Sequence, residues 1–216
     1  MSQKPMHELT EIAQKLENRK ATDHLYTELF GPLFEPYREF YTDVLEVGVH
    51  RGLSLLIWSQ YFPNAHVYGV ENLLYHQALG SKVTYENGET GFFLEEVINN
   101  ERISIQIGNA YEKEMVEKLS NNNKKYDLIM DDGSHEADHQ LFFLNNYVSM
   151  LKKNGMLLIE DIPNMGQAYF VADNFTGDSG RLSIIDRRLN RTPRVVANPH
   201  KSKMDINYDE IIILYM

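Results

Sequence analysis

Apolar residues fall in short runs at intervals along the chain: Val44–Val47, Val67–Val70, Ile103–Ile107, Leu128–Met130 and Met156–Ile159. Each run is too short for a helix and reads as a buried parallel strand. Helix-length stretches separate them at Ser54–Tyr61, Gly91–Asn99, Tyr111–Leu119 and Glu136–Leu151, and polar loops are predicted around Asn121–Asn123 and Asn154–Gly155. Strand and helix alternating in this way predict an α/β protein with a Rossmann-like, doubly wound sheet and helices on both faces. After Asp161 the sequence turns rich in Pro, Gly and Asn, and then Arg181–Arg187 and Glu210–Tyr215 read as a terminal antiparallel pair of strands. Between them Asn190–Tyr208 holds two prolines and many polar residues, so a long loop near the active face is expected there. Ahead of the first strand, Met6–Lys20 has the pattern of an amphipathic helix, and the aromatic-rich Leu25–Phe40 is suited to cover a cofactor cleft.

The length of 216 residues, 43% of them hydrophobic, predicts one globular domain. It divides into an N-terminal helical cap (1–42), a cofactor-binding core (43–161) and a C-terminal strand pair with a substrate loop (162–216). A net charge of −10 argues against nucleic acid as a partner, because phosphate binding depends on Lys and Arg. There are no cysteines, so any metal must sit on oxygen or imidazole. Met1–Lys20 lacks the long apolar core of a signal peptide or spanning helix; a cytoplasmic location and no membrane partner are the expectation.

The first constellation is Glu46-Val47-Gly48-Val49-His50-Arg51-Gly52-Leu53-Ser54, where a strand ends, two glycines follow and a helix begins. Glycine there allows close backbone approach to a ligand. A dinucleotide turn would carry a third glycine, so an NAD-binding oxidoreductase is the weaker reading. An acidic Glu46 suits a cationic ligand such as the amino and sulfonium region of S-adenosylmethionine. Glu71, about 20 residues further on at a strand end, can accept the hydroxyls of a ribose. Asn109 and Ala110, after Ile103–Ile107, are placed to meet the adenine. The cofactor-binding candidates are therefore Glu46, Gly48, Gly52, Ser54, Glu71, Asn109, Ala110 and Asp131.

The more specific constellation is Asp131-Asp132-Gly133-Ser134-His135, followed at the next strand end by Glu160-Asp161. In a parallel sheet both clusters emerge at the carboxyl edge, where ligands bind. Carboxylates crowded together repel unless a cation or proton is shared, and a hard divalent ion such as Mg²⁺ meets that need. Asp132, Glu160 and Asp161 are the expected metal ligands. A metal-polarised hydroxyl then needs a base, and His135 is the candidate; His135 and Asp132 are the catalytic pair. Asp131 or Ser134 could alternatively cap the following helix. His139, one turn beyond His135, could orient it or meet substrate, although a surface or core role is the simpler account.

Together these motifs resemble class I S-adenosylmethionine-dependent methyltransferases, of the metal-dependent macrolide-sugar O-methyltransferase type. The resemblance extends to Lys20-Ala21-Thr22-Asp23-His24-Leu25-Tyr26 and to Tyr68-Gly69-Val70-Glu71. It implies seven strands with the last antiparallel, Mg²⁺ on Asp132, Glu160 and Asp161, and His135 as base toward a sugar hydroxyl. The implied substrate is a glycan or glycosylated small molecule, and a homo-oligomer is compatible with it. His50 stands where many methyltransferases carry glycine, and no counterpart of the large N-terminal domain of some macrolide enzymes is expected. Two alternatives stay open: a catechol- or phenol-type O-methyltransferase, and a non-catalytic module that binds the cofactor.

Overall fold

The computed structural model describes residues 6–22, 24–74, 82–84, 90–187 and 211–216. The expected loop Asn190–Tyr208 lies outside them. The chain forms two compact units, Met1–Met115 and Val116–Met216.

The first unit opens with α1 (Glu8–Lys15), α2 (Arg19–Thr22) and α3 (Thr27–Phe34), followed by β1 (Asp43–Val47), α4 (Leu53–Tyr61) and β2 (His66–Glu71). A two-stranded ladder, β3 (Val83–Thr84) and β4 (Thr90–Gly91), precedes α5 (Glu95–Ile98) and β5 (Ile103–Ile107). Strands β1, β2 and β5 are parallel, in the order β5-β2-β1. The expected single helix Met6–Lys20 is broken after Lys15, where Asn18 starts a new turn by accepting the Lys20 amide on its side chain at 2.8 Å. The expected helix Gly91–Asn99 shortens to α5, because Thr90 and Gly91 pair with β3. Aromatic rings fill the interior: Tyr26 stacks on Phe30, Phe30 on Phe34, and Phe34 meets Trp58 edge-on, all four fully buried. Arg102 closes the C-terminal end of α4, donating to the carbonyls of Phe62, Pro63 and Ala65 at 3.1 Å and of Ser59 at 2.5 Å. A guanidinium suits this place because the last carbonyls of a helix lack intrahelical donors and carry partial negative charge.

Helix α6 (Lys113–Leu119) leads into the second unit, which contains β6 (Tyr126–Asp131), α7 (Ala137–Tyr147), β7 (Leu151–Ile162), α8 (Met165–Asp173), β8 (Leu182–Asp186) and β9 (Ile211–Tyr215). Its strand order is β6-β7-β9-β8, with β6 and β7 parallel and β9 antiparallel to both of its neighbours. The two units thus supply the seven strands of a Rossmann-like sheet, including the antiparallel last strand, with every residue of β9 buried.

Two features of this unit depart from the sequence expectation. Asn154 and Gly155 lie inside β7 and not in a loop: the strand runs through them with a register shift, Asn154 takes φ 65°, and Gly155 packs against backbone. A Cβ on Gly155 would sit 2.9 Å from the Asp127 carbonyl oxygen, so a side chain is excluded there by the neighbouring strand. Helix α8 was not expected, because Pro163 and Gly166 frame its start; Asn164 caps it, its side-chain oxygen accepting the Gln167 amide at 2.9 Å. Among the described residues no helix is long and apolar enough to cross a membrane.

Candidate active site

In the first unit the glycine turn joins β1 to α4. Gly48, His50 and Gly52 all have positive φ, at 81°, 48° and 86°. Gly52 has a second reason to be glycine, since a Cβ would lie 2.9 Å from the Val97 methyls. The amide of Gly48 donates to the Val70 carbonyl at 2.9 Å, that of Gly52 to the Val49 carbonyl at 2.7 Å, and that of His50 to Glu71 Oε2 at 2.7 Å. Three of the amides that a phosphate-binding turn would present are therefore engaged within the protein, in keeping with the absence of a third glycine.

Glu46, fully buried at the end of β1, is a hydrogen-bonding hub. Its Oε2 accepts from the Ser54 hydroxyl at 2.6 Å and the Trp58 indole N–H at 3.1 Å, and its Oε1 lies 3.6 Å from the buried Lys20 ammonium. A carboxylate at this depth requires such compensation. Glu71 accepts the amides of His50 and Leu73, one on each oxygen, at 2.7 and 3.0 Å. Asn109 makes a turn, its Oδ1 accepting the Tyr111 amide and its Nδ2 donating to Glu112, both at 3.0 Å. Ala110 beside it is buried. Tyr26 and Trp58 belong to the core, and Phe40 is exposed.

In the second unit β6 ends at Asp131, whose Oδ1 accepts the Gly133 amide at 3.1 Å and so folds the following loop. Neither Asp131 nor Ser134 caps α7, whose cap residue is Glu136 without a side-chain bond; Ser134 Oγ lies 2.7 Å from His139 Nδ1 instead. Asp132, His135 and Asp161 come together, offering one ligand atom each within 4.8 Å of the others. His135 Nε2 and Asp161 Oδ2 are 3.9 Å apart. A carboxylate oxygen of the fully buried Glu160 also lies within 4.8 Å of one of Asp132.

That consecutive residues Glu160 and Asp161 both approach Asp132 needs explanation, because successive side chains of a regular strand point to opposite faces. The explanation is a bulge. Ile159 pairs with Ile213 and Ile162 with Ile211, so Glu160 and Asp161 together oppose Ile212 alone. Asp161 takes φ 54°, and His135 across from it takes φ 59°. Non-glycine residues in this region cost on the order of 1 kcal/mol or more each and persist only where the surroundings over-determine them.

Two side chains that the sequence reading passed over provide that restraint. Gln167 Nε2 donates to the His135 carbonyl at 2.7 Å and to Gln140 Oε1 at 2.8 Å, and Gln140 Nε2 donates to the Glu160 carbonyl at 3.3 Å. The signal available in the sequence was weak: Gln140 stands on a helix among apolar neighbours, where an uncharged amide attracts no notice.

Residues 45–162, more than half of the chain, match the family model described as a methyltransferase domain. Among curated proteins, the chain is 24% identical over 160 residues to 8-demethyl-8-(2-methoxy-alpha-L-rhamnosyl)-tetracenomycin-C 3'-O-methyltransferase of Streptomyces olivaceus, covering 68% of this chain and 36% of that protein. It is 23% identical over 146 residues to mycinamicin VI 2''-O-methyltransferase of Micromonospora griseorubida, covering 64% of this chain and 32% of the relative. The chain thus spans about a third of the length of the curated relatives it matches. In fold it is similar to the MycE methyltransferase of the mycinamycin biosynthetic pathway, solved with Mg, SAH and mycinamycin VI, at TM-score 0.58 and 24% identity over 82% of this chain and 43% of that one. The parallel strands, the glycine turn and the match across residues 45–162 lead to one conclusion: the chain belongs to the methyltransferase domain family.

Proposed function

We propose that this protein is an S-adenosylmethionine-dependent, divalent-metal-dependent O-methyltransferase acting on a sugar hydroxyl of a glycan or glycosylated small molecule. The observation that carries the reading is the approach of Asp132, His135 and Asp161 to within 4.8 Å at the ends of β6 and β7. The names of the curated relatives, both sugar O-methyltransferases, support the acceptor class.

The donor set fits a hard cation. Oxygen ligands from Asp132, Glu160 and Asp161 match Mg²⁺, and their mutual repulsion is relieved by a divalent charge. Glu71 fits an adenosine: an ionised carboxylate has about four acceptor positions, and the two backbone amides leave capacity for ribose hydroxyls. Glu46, Gly48, Gly52, Ser54, Asn109, Ala110 and Asp131 complete the proposed cofactor site. When bound, the metal would acidify a neighbouring hydroxyl and the cofactor would supply the methyl group.

This chain's residues have three tasks in that reaction. Asp132, Glu160 and Asp161 would hold the cation. His135 Nε2 would accept the proton of the acceptor hydroxyl as that oxygen takes the methyl group, S-adenosylhomocysteine being the leaving group. The glycine turn and Glu71 would bind the donor, and alignment is the larger part of catalysis in a displacement of this kind. The matched residues 45–162 run through both units, and we read the two as one methyltransferase domain.

Calorimetry with S-adenosylhomocysteine tests the cofactor, and transfer of labelled methyl from S-adenosylmethionine to glycosylated small molecules and to catechols, with and without Mg²⁺, tests acceptor and metal. Binding with Mg²⁺-dependent transfer to the sugar compounds is expected. Transfer that survives exhaustive chelation and also survives in His135→Ala would overturn the mechanism.

A further inference from the structure

We infer that Gln140 and Gln167 form a directional amide relay that sets the geometry of the proposed metal and base site, so that both are positioning residues for the reaction. The inference rests on the function proposed above and concerns residues with no ligand role of their own.

The relay starts and ends on carbonyl oxygens, which only accept. Gln167 uses both hydrogens of its amide nitrogen, one to the His135 carbonyl at 2.7 Å and one to Gln140 Oε1 at 2.8 Å. Gln140, having accepted on oxygen, presents its own amide nitrogen to the Glu160 carbonyl at 3.3 Å. This sequence of donors and acceptors fixes the orientation of both amides, because flipping either would set oxygen against oxygen. The backbone points it holds are the ones a metal site needs held. His135 itself is in the left-handed region, and the Glu160 carbonyl immediately precedes Asp161, which is there as well. Helices α7 and α8 thus reach the β6–α7 loop and the β7 bulge through one chain of hydrogen bonds. Gln140 is almost wholly buried, so its amide would be costly to place there without partners, and here it has them.

A carboxylate in place of either amide keeps the shape and removes the donors. Gln140→Glu and Gln167→Glu turn a donated hydrogen bond into an oxygen facing a carbonyl oxygen. Gln167→Met, at a half-buried position, removes the same bonds with little change in volume. Partners one step removed from a metal usually change metal affinity or activity by about 10–100-fold when lost.

Mn²⁺ binding, followed by electron paramagnetic resonance on the full chain, reads the effect without turnover. The expected result for Gln167→Met and Gln167→Glu is Mn²⁺ affinity at least about 10-fold weaker, with S-adenosylhomocysteine affinity unchanged by calorimetry and the far-ultraviolet spectrum retained. Where methyl transfer is measured at saturating cofactor, kcat should fall while the cofactor KM stays. Wild-type Mn²⁺ affinity in Gln167→Met overturns the relay, and that variant decides the matter if Gln140→Glu does not fold. Failure of the wild-type protein to bind Mn²⁺ would remove the metal reading itself, a different outcome from variants that match the wild type.

Discussion

At the scale of single residues, the half-buried acids Asp132 and Asp161 and the fully buried acids Glu46 and Glu160 all call for compensation. Asp132, Glu160 and Asp161 are acids whose repulsion asks for a cation, and Glu46 is an acid that already accepts from Ser54 and Trp58 and has the Lys20 ammonium beside it. Removing Asp132 or Asp161 as alanine should therefore weaken Mn²⁺ binding strongly without lowering thermal stability, since relieving like-charge repulsion offsets lost contacts. Isothermal titration beside a melting curve checks both halves. Lys20→Met should do the reverse, leaving a carboxylate buried without its ammonium and costing about 3–5 kcal/mol. Adding Glu46→Gln should recover much of that loss in chemical denaturation. The acidic character of Glu46 was legible in the sequence, but its neighbours were not: Lys20 lies 26 positions earlier in the chain, and nothing local announces a buried pair. His135→Ala should lower the rate of methyl transfer by about 10²–10⁴ while cofactor binding persists, as measured by kcat beside calorimetry.

The elements of the fold were readable to the extent that side-chain pattern decides them. The strand cores at Val44–Val47 and Val67–Val70 appear within β1 and β2, whereas Ile103–Ile107, expected to be buried, forms β5 at the sheet edge with half-buried residues and an exposed Ile107, in keeping with its alternating Ser104 and Gln106. What could not be read depends on backbone pairing. Asn154 and Gly155 have loop chemistry yet lie in β7, in the bulge between the pairs Tyr126–Leu151 and Leu128–Met156. Helix α8 escaped notice for the opposite reason: one cap residue, Asn164, starts it directly after a proline. Removing that cap as Asn164→Ala should cost about 1 kcal/mol in denaturant unfolding. The cluster of Asp132, His135 and Asp161 was legible as residue types, but the amides of Gln140 and Gln167 were not, because the carbonyls they touch lie far along the chain.

At the scale of the whole molecule, one dependence on conditions falls at alkaline pH. Burial raises the pKa of the Tyr61 and Tyr147 hydroxyls well above the ordinary value of 10.0, with the nearby Glu35 adding to the first and Asp131 to the second. The folded chain then holds protons that the unfolded chain releases, so stability is intact below about pH 10 and is lost as pH rises further. Melting temperature should be level up to that point and then decline, and Tyr61→Phe with Tyr147→Phe should flatten the decline. The β7 bulge has a consequence of another sort, in that it makes the chemistry depend on a count of residues. Losing one residue between Ile159 and Ile162 would let β7 and β9 pair evenly, and the apolar sheet would have reason to accept the change. The surviving acid could then face only one way, and a protein with a sound fold and its first unit untouched would have lost one of the two adjacent acids proposed to hold the metal. A single-codon deletion can in this way separate the ability to fold from the ability to react.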